Sequence, residues 1–291
     1  INFLYCDIKD QDSLNKICSE IDIIFHTAAL KHVIFCEQSP NQGIDNNILG
    51  LNNLIKSAHL NKVKKFIFTS SDKAVNPTSV MGTTKLLGEK LTTSANIAGK
   101  KTVFASVRFG NVLGSSGSFI PIFKKQILNN ESITITDKQM TRFVMTISEA
   151  VHLIVHSSKI AKGGEVFVFK MPAVNIDEAA DAMIDLYSPQ LNKSKKIYIG
   201  SRPGEKLYEE LLTNEEIRRT SETSKYFIIS PPFTNIYNYK INSIKKNKIK
   251  DSYNSSNTKL LSKNQIKKLI KKIDIDNKTI NISNTKINWP G

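Results

Sequence analysis

Short apolar runs alternate with longer amphipathic stretches through the first 107 residues of this chain. The apolar runs predict strands at residues 1–6, 21–26, 65–69 and 102–107. The stretches between them predict helices at residues 10–20, 40–60 and 81–98. Helices between strands imply right-handed crossovers, which join parallel strands. Because the strands are apolar throughout, as in a sheet covered on both faces, we expect an α/β fold with a doubly wound parallel sheet.

Beyond residue 110 the pattern is less regular. It predicts a smaller α/β lobe, which the chain enters several times. Strands are predicted at residues 133–136, 165–169, 196–199 and 225–229. Helices are predicted at residues 119–128, 148–158, 177–186 and 205–212. With 291 residues, 40% of them hydrophobic, the chain can bury a substantial core, which excludes a wholly disordered protein.

The net charge of +15 is concentrated near the end of the chain, where residues 239–291 hold 13 lysines against three aspartates. Residues 236–276 approach low complexity, although residues 265–273 could form one basic helix. This composition predicts a tail that resists core formation. Such a tail could favour nucleic acid or an anionic membrane surface. Because it lacks arginine and has only scattered aromatic residues, we expect no specific nucleic-acid partner.

Three further features argue against other classes of protein. No run approaches the ~20 apolar residues of a membrane span, so none is expected. Cys6, Cys18 and Cys36 form neither a disulfide framework nor a zinc pattern, so we expect a cytoplasmic protein. His152 and His156 have the i,i+4 spacing of a metal-binding pair, but no third ligand stands nearby and no metal is expected.

Polar residues that follow the strand at residues 65–69 are the first candidates for chemistry. Open α/β sheets bind ligands at the carboxyl ends of their strands, where Asp72 and Lys73 would lie. An adjacent acid and amine could serve as proton donor and acceptor if burial favours their uncharged forms. A solvated turn with a surface ion pair explains the same residues equally well. In the next helix, Met81 and Lys85 share one face because they are four residues apart.

Six motifs in register resemble a known family. They are HTAALKHV at 26–33, NNILG at 46–50, SSDKAVNPTSVMGTTK at 70–85, RFGNVLGSSGS at 108–118, ITDKQMTRF at 135–143 and RPGEKLYEE at 202–210. Together they resemble the extended short-chain dehydrogenases/reductases. Within that superfamily they are similar to the CapD-like polysaccharide biosynthesis proteins that act as UDP-N-acetylglucosamine 4,6-dehydratases. Residues 251–262, DSYNSSNTKLLS, resemble the usual ending of that group.

The resemblance implies a Rossmann-like domain at residues 1–145, a mainly substrate-binding lobe at 146–235 and a basic tail at 236–291. It also implies a tightly held NADP or NAD that is regenerated in each turnover, a UDP-sugar substrate and a homo-oligomer. Cofactor contacts are expected from Asp7, Ile8, Ala28, Ala29, Lys31, Asn47, Ser70 and Lys85. Substrate contacts are expected from Asn111, Arg142, Arg202 and Glu205.

The same resemblance implies catalytic roles for Ser71, Asp72, Lys73 and Lys85, with Met81 where the superfamily usually has tyrosine. A thioether cannot exchange a proton, so Met81 cannot be the acid or the base. One branch of the group carries methionine here, and its Asp–Lys pair handles the protons. We therefore expect a neutral Lys73 to take the C5 proton of the sugar and a protonated Asp72 to protonate the C6 hydroxyl. Desolvation and the nearby charge of Lys85 both favour the neutral amine.

Members of this family begin with a strand and a GxxGxxG turn, and this sequence contains no such turn. The chain opens at what resembles the third strand of the sheet. We therefore expect the first strands to be missing and the chain as given to bind a nicotinamide cofactor weakly.

Two other functions stay open. The first is a UDP-sugar epimerase or reductase of the same superfamily, but a C4 epimerase needs no acid for the loss of the C6 hydroxyl. The second is a non-catalytic dinucleotide-binding protein. The presence of Asp72, Lys73 and Lys85 together argues against that function.

Overall fold

The computed structural model describes residues 1–96, 101–115, 117–188, 195–201, 204–233, 249 and 251–284, with side chains as far as Asp274. Its helices are α1 (Gln11–Ile17), α2 (Val33–Gln38), α3 (Pro40–Ile44), α4 (Leu51–Leu60), α5 (Val80–Ser94), α6 (Phe119–Leu128), α7 (Ile147–Ile160), α8 (Ile176–Tyr187), α9 (Asn214–Ile217) and α10 (Lys263–Asn284). Its strands are β1 (Ile23–His26), β2 (Lys65–Ser71), β3 (Val103–Phe109), β4 (Asn111–Val112), β5 (Ile133–Ile135), β6 (Thr141–Met145), β7 (Val166–Phe169), β8 (Ala173–Asn175), β9 (Lys196–Tyr198), β10 (Glu210–Leu212), β11 (Thr220–Glu222), β12 (Tyr226–Ile229) and β13 (Tyr253–Asn254).

A six-stranded sheet in the order β1-β2-β3-β7-β12-β11 forms the main body. The first four strands are parallel, whereas β12 runs antiparallel to both β7 and β11. The prediction of an α/β fold with a parallel sheet is confirmed. The sheet combines strands from before and after residue 145 in the sequence: β1, β2 and β3 precede it, and β7, β11 and β12 follow it.

Helices cover both faces of this sheet, which is why its strands are apolar on both sides. Phe66 and Phe68 of β2 point to one face, where they pack against Leu51 of α4 in a cluster that includes residues of α1. Between them, Ile67 points to the other face and packs with Leu153 of α7. Strict alternation of side chains along a strand sends neighbouring residues to opposite faces, so both cores depend on the same short apolar run.

The predicted helix at residues 40–60 is continuous but irregular. It begins with Pro40 at its first position, where the missing N–H costs no hydrogen bond. A π-helical segment, Asp45–Gly50, separates α3 from α4 and carries the buried Asn47. Single π-helical turns inside α-helices often occur at functional sites, because the extra residue redirects the side chains around it.

The smaller lobe combines short sheets with three helices. Strand β6 lies between β4 and β8, and separate pairs join β5 to β9 and β10 to β13. Its core contains Phe123 of α6, Met183 of α8 and Ile270 of α10. The lobe therefore needs chain segments that are far apart in the sequence.

The expectation that the basic tail resists core formation is wrong for residues 251–273. Ile266, Ile270 and Ile273 lie on one face of α10 and are buried in the lobe, while Lys268 and Lys271 face solvent. Upstream of this helix, Tyr253 packs against Phe143 and Phe227 of the neighbouring core. Residues 236–248, where the composition is most biased, lie outside the described residues.

Two element predictions are wrong, and both errors have a tertiary cause. Residues 1–6 form no strand, because no described strand lies beside them to accept and donate hydrogen bonds. Residues 205–212 are not helical but end in β10. Their backbone bonds to distant partners, with Thr141 N donating to Leu207 O and Glu209 N donating to Ser255 Oγ. Those tertiary bonds replace the i,i+4 bonds that a helix would need.

Candidate active site

Three parallel strands end at one edge of the main sheet, and a cavity of about 380 Å³ opens there. We call it the sheet-edge cavity. Its lining includes residues that follow β1, residues at the end of β2 and residues of α5, namely Thr27, Ala29, Lys31, Thr69, Ser70, Ser71, Lys73, Met81 and Lys85. This is the position at which open α/β sheets bind ligands.

A second cavity, of about 350 Å³, lies between this edge and the smaller lobe. We call it the lobe cavity. Its apolar wall includes Phe119, Ile122 and Phe123, and its polar lining includes Arg142, Glu205 and Glu209. Five residues line both cavities: His32, Lys73, Asn111, Gly117 and Ser118. Lys73 therefore lies between the two cavities.

The turn after β2 fixes the side chains that separate the two cavities. Asp72–Ala74 form one turn of 3₁₀ helix, and Ser71 Oγ accepts from Lys73 N at 3.2 Å while donating to Asp72 Oδ1 at 2.7 Å. Helix α5 lies so close to this turn that a Cβ on Gly82 would collide with the carbonyl oxygen of Lys73. Glycine at this position lets the start of α5 approach the turn.

Lys73 forms ion pairs with two buried carboxylates. Its Nζ lies 3.1 Å from Asp72 Oδ1 and 3.4 Å from Glu209 Oε1. Burial favours the neutral amine, but the charges of Asp72 and Glu209 outweigh burial and hold the pKa of Lys73 above its ordinary value. The expectation of a neutral Lys73 is therefore corrected: the amine rests in its charged form, because Glu209 adds a carboxylate that the local sequence did not reveal.

Lys85 and Met81 lie side by side on α5, as their spacing predicts. The Lys85 ammonium donates to Thr69 O at 2.9 Å and lies 4.9 Å from the centroid of the Phe68 ring. Burial lowers the pKa of Lys85 to about 8. Met81 is buried beside it and lines the sheet-edge cavity. A thioether there provides an apolar wall and no proton.

The sheet-edge cavity fits a nicotinamide dinucleotide in its donors and acceptors. Ser70 Oγ is buried without a hydrogen-bond partner among the described residues, which leaves it available to a ligand. The ammonium of Lys85 has three donors, of which Thr69 uses one. The predicted contacts Ala29, Lys31, Ser70 and Lys85 line this cavity, and Ala28 precedes Ala29 on the same exposed turn.

Three other predicted cofactor contacts do not line either described cavity. The side chain of Asn47 hydrogen-bonds to other protein groups, since Oδ1 accepts from Leu30 N and Nδ2 donates to Leu30 O and Thr84 Oγ1. Asn47 therefore stabilises the backbone of the turn after β1. Asp7 pairs with Lys9 near the start of the chain, and Ile8 packs against Gly50.

The predicted substrate contacts gather around the lobe cavity. Asn111 and Glu205 line it, and so does Arg142, which donates to Thr141 O at 2.8 Å. Arg142 Nε also lies 3.8 Å from Glu209 Oε1. Arg202 lies outside the described residues. The buried guanidinium of Arg142 has the planar geometry that suits phosphate oxygens.

Sequence reasoning missed Glu209. It stands in the RPGEKLYEE motif, where the sequence predicts a helix and the family resemblance implies substrate contacts from Arg202 and Glu205 alone. The structure places Glu209 2% exposed beside Lys73, with Oε2 lacking a hydrogen-bond partner among the described residues. The only local signal for Glu209 is its acidic side chain, because Lys73, the residue it pairs with, follows a strand that is far away in the sequence.

The His152–His156 pair lies elsewhere, on the outer face of α7. The two rings stack with centroids 5.9 Å apart, and His156 stacks in turn on Tyr226 at 4.9 Å. Within the described ranges, no group of three His, Cys, Asp or Glu side chains is arranged to hold a metal ion.

Comparison with known proteins identifies the family. The sequence profile of the polysaccharide biosynthesis protein family matches residues 1–231. An uncharacterized membrane protein, MJ1061, of Methanocaldococcus jannaschii is 46% identical over 92% of this chain and 79% of its own length. A UDP-glucose 4-epimerase of Rickettsia bellii is 38% identical over 94% of this chain and 81% of its own. The chain belongs to the polysaccharide biosynthesis protein family.

Solved structures support the fold of this polysaccharide biosynthesis protein. The X-ray structure of Pen from Bacillus thuringiensis is 42% identical, with a TM-score of 0.85 over 94% of this chain and 82% of that one. DesIV, a dTDP-glucose 4,6-dehydratase of Streptomyces venezuelae solved with NAD, is 18% identical, with a TM-score of 0.65 over 71% and 69% of the two chains. The fold is Rossmann-like, as in short-chain dehydrogenases/reductases. Among the described residues, no helix is both long enough and apolar enough to cross a bilayer.

Proposed function

We propose that this protein is a 4,6-dehydratase that converts UDP-N-acetylglucosamine into a UDP-linked 4-keto-6-deoxy sugar for surface polysaccharide synthesis. The observation that carries the proposal is the position of Lys73, which pairs with Asp72 and lines both cavities. A group that exchanges protons with a sugar beside a cofactor must be reachable from the sites of both.

The sheet-edge cavity would hold NAD or NADP. When bound, the nicotinamide would supply reversible hydride transfer: hydride leaves C4 while the O4 proton passes to solvent, and hydride later returns to C6 while C5 takes a proton from solvent. Lys85 and Ser70 would bind its ribose and amide groups, since one brings a buried ammonium and the other an unpaired hydroxyl. Thr27, Ala28 and Ala29 leave room beside the strand end for the close approach of a dinucleotide.

The Asp72–Lys73 pair would carry out the elimination after C4 is a ketone. Lys73 first passes a proton to Asp72 Oδ1, 3.1 Å away, which makes a neutral amine and a carboxylic acid. The amine then takes the C5 proton, the C5–H electrons form a double bond to C6, and the C6–O bond breaks. Asp72 protonates the departing hydroxyl, which leaves as water. Both groups end in their original charge states.

The lobe cavity would bind the UDP moiety. Arg142 and Asn111 would bind diphosphate oxygens, with Arg202 as a further expected contact, and Glu205 would accept from ribose hydroxyls. The apolar wall of Phe119, Ile122 and Phe123 suits a flat base. This arrangement directs the sugar toward Lys73 and the sheet-edge cavity.

A second candidate is a UDP-sugar 4-epimerase, which the Rickettsia bellii relative's name favours. Oxidation and reduction at the same C4 carbon need no group to take the C5 proton and none to protonate a leaving hydroxyl. Met81 cannot exchange a proton with the C4 hydroxyl. Epimerisation still needs one group to take the C4 hydroxyl proton, which Asp72 or Lys73 could do, but it does not need an adjacent acid and amine acting together, so the pair favours dehydration.

Product mass separates the two reactions. The protein, supplied with NAD or NADP, is incubated with UDP-N-acetylglucosamine or UDP-glucose in deuterated water, and the nucleotide sugars are weighed by mass spectrometry. Dehydration removes one water and introduces solvent deuterium at C5, whereas epimerisation leaves the mass unchanged. A C4 epimer without loss of water would contradict the proposal. Nuclear magnetic resonance of the product then gives the configuration at C5.

A further inference from the structure

We propose that Glu209 is a positioning residue for Lys73: its carboxylate orients the amine between the two cavities and stabilises the positive charge that the amine gains when it takes a proton from the sugar. The role in turnover rests on the proposed dehydratase function. The pairing of the two side chains does not, and it can be measured in the protein without substrate.

The first support is the geometry of the pair. Glu209 Oε1 lies 3.4 Å from Lys73 Nζ on the side of the lobe cavity, while Asp72 Oδ1 lies 3.1 Å from the same nitrogen. Two carboxylates on one ammonium fix its direction better than one can. Glu209 Oε2 has no partner among the described residues, so this carboxylate is not committed to another protein group through that oxygen.

The second support is the way the fold holds Glu209. Its N–H donates to Ser255 Oγ at 3.0 Å, and its carbonyl accepts from Ser255 N at 2.9 Å. Ser255 Oγ also lies 2.8 Å from Thr141 Oγ1, next to Arg142. Ser255, from the predicted tail, therefore holds the backbone of Glu209 through two hydrogen bonds. A carboxylate that is 2% exposed and fixed on both sides of its backbone is a built feature of the site.

The charges that face Glu209 come from three parts of the fold. Lys73 and Asp72 lie on the turn after β2, Arg142 on β6, and Lys206 on the segment that leads to Glu209 itself. Burial and Asp72 raise the pKa of the Glu209 carboxyl, whereas Lys73, Arg142 and Lys206 lower it, and burial prevails. The attraction is mutual, since Lys73 lowers the pKa of Glu209 while the Glu209 carboxylate raises the pKa of Lys73.

The consequence is chemical. Removal of the C5 proton leaves its positive charge on Lys73, and an anion 3.4 Å away lowers the energy of that product and of the transition state leading to it. Without Glu209 the amine loses its resting proton more easily, but it is held by Asp72 alone, so its direction toward the C5 proton is lost and turnover falls. No proton is gained or lost by Glu209 in this scheme.

The test measures the titration of Lys73 directly. The full chain is labelled with an amine-reactive reagent over a range of pH, and mass spectrometry gives the midpoint for Lys73. In Glu209→Gln we expect this midpoint to fall by roughly 1–3 pH units, the effect of removing an opposite charge at this range. Glu210→Gln is the matched control, since Glu210 accepts from Asn76 and does not line the lobe cavity. Its midpoint should equal that of the unmodified protein.

An unchanged midpoint in Glu209→Gln would overturn the proposal. If that variant does not fold, Glu209→Asp gives the same measurement, because its shorter side chain draws the carboxylate back from Lys73 Nζ. The midpoint for Lys73 must then fall below that of the unmodified protein, and an unchanged midpoint overturns the proposal equally.

A turnover experiment separates this role from a role in holding Arg142. If Glu209 acts on Lys73, Glu209→Gln lowers kcat and the rate of C5 hydrogen exchange by roughly tenfold or more and leaves KM nearly unchanged, and Glu209→Asp recovers part of the loss. A higher KM with unchanged kcat would assign Glu209 to Arg142 and refute the proposal. If the unmodified protein does not dehydrate UDP-N-acetylglucosamine, the proposed function fails, but the labelling result still stands by itself.

Discussion

Arg108 of β3 and Glu216 of α9 form a two-pronged ion pair inside the protein, with Nη1–Oε2 and Nη2–Oε1 distances of 2.9 and 2.7 Å. The same guanidinium binds Glu89 of α5 and the carbonyl oxygen of Leu211. Burial would raise the pKa of Glu216, but Arg108 lowers it to about 2. One buried side chain thus joins the main sheet, the helix of Lys85 and the segment that follows Glu209.

Arg108→Met should destabilise the protein severely, because two buried carboxylates, Glu89 and Glu216, lose their shared guanidinium. Among the described residues, only Arg219 still forms an ion pair with either of them, at 3.9 Å from Glu216. We expect the free energy of unfolding to fall by roughly 3–5 kcal/mol. Denaturation by urea at neutral pH measures it. The matched control is Lys64→Met, which breaks an exposed pair with Asp22 and should change stability by less than about 1 kcal/mol. Equal effects of the two substitutions would show that the Arg108 cluster contributes no special stability.

Ile270→Ala should show that α10 belongs to the core of the lobe. Ile270 is 1% exposed among residues of α6 and α8, so the substitution leaves a cavity. The expected loss of stability is roughly 2–5 kcal/mol, against a change within about 0.5 kcal/mol for the exposed Lys268→Ala on the same helix. Thermal or urea unfolding distinguishes them. If Ile270→Ala is harmless, the helix does not pack as described and could be deleted without loss.

His26 should make the protein less stable at mildly acidic pH. Its ring is buried against Phe68 at 5.8 Å, and burial together with Lys85 lowers its pKa to about 3. Between about pH 6.5 and 3 the unfolded chain binds a proton at this residue that the fold does not. The free energy of unfolding therefore falls as the pH falls through this range.

The measurement is urea unfolding at pH 6.5 and pH 5 in the unmodified protein and in His26→Phe. The unmodified protein should lose roughly 1–2 kcal/mol more than the variant over this interval, because phenylalanine has no proton to bind. Identical losses would mean that His26 is accessible to protons in the folded state.

Lys73→Met and Asp72→Asn should each abolish most of the dehydration while substrate binding persists. Each substitution removes one of the two groups that exchange protons, and acid–base catalysis typically contributes roughly 10²–10⁴-fold. Turnover of UDP-N-acetylglucosamine and deuterium exchange at C5 are the readouts, with Lys90→Met, an exposed substitution on α5, as control. C5 exchange at the unmodified rate in Lys73→Met would place the base elsewhere.

Met81→Leu should leave turnover almost unchanged, because the thioether supplies only an apolar surface. Met81→Tyr should also be tolerated, since the larger ring can extend into the sheet-edge cavity that Met81 already lines. We expect losses well below the roughly 10²-fold at the lower end of acid–base contributions. Steady-state kinetics of the two variants test this. A loss like that of Lys73→Met would give residue 81 a direct part in the chemistry.

Much of the main sheet could be predicted from the sequence, because its signals are local. Apolar runs placed β1, β2 and β3 within two residues of their observed bounds, and the helix of Met81 and Lys85 followed from spacing alone. The prediction for residues 205–212 was wrong because their backbone partners lie far away in the chain. The prediction for residues 1–6 was wrong because no described strand lies beside them.

The sequence by itself determined the strand–helix alternation, the Asp72–Lys73 pair at a strand end and the shared face of Met81 and Lys85, since neighbouring residues fix each of these. Only the tertiary structure decided that Glu209 pairs with Lys73 and that residues 251–273 join the core. It also decided that Lys73 rests in its charged form. Charge and burial depend on every group within a few ångströms, and most of those groups come from distant parts of the chain.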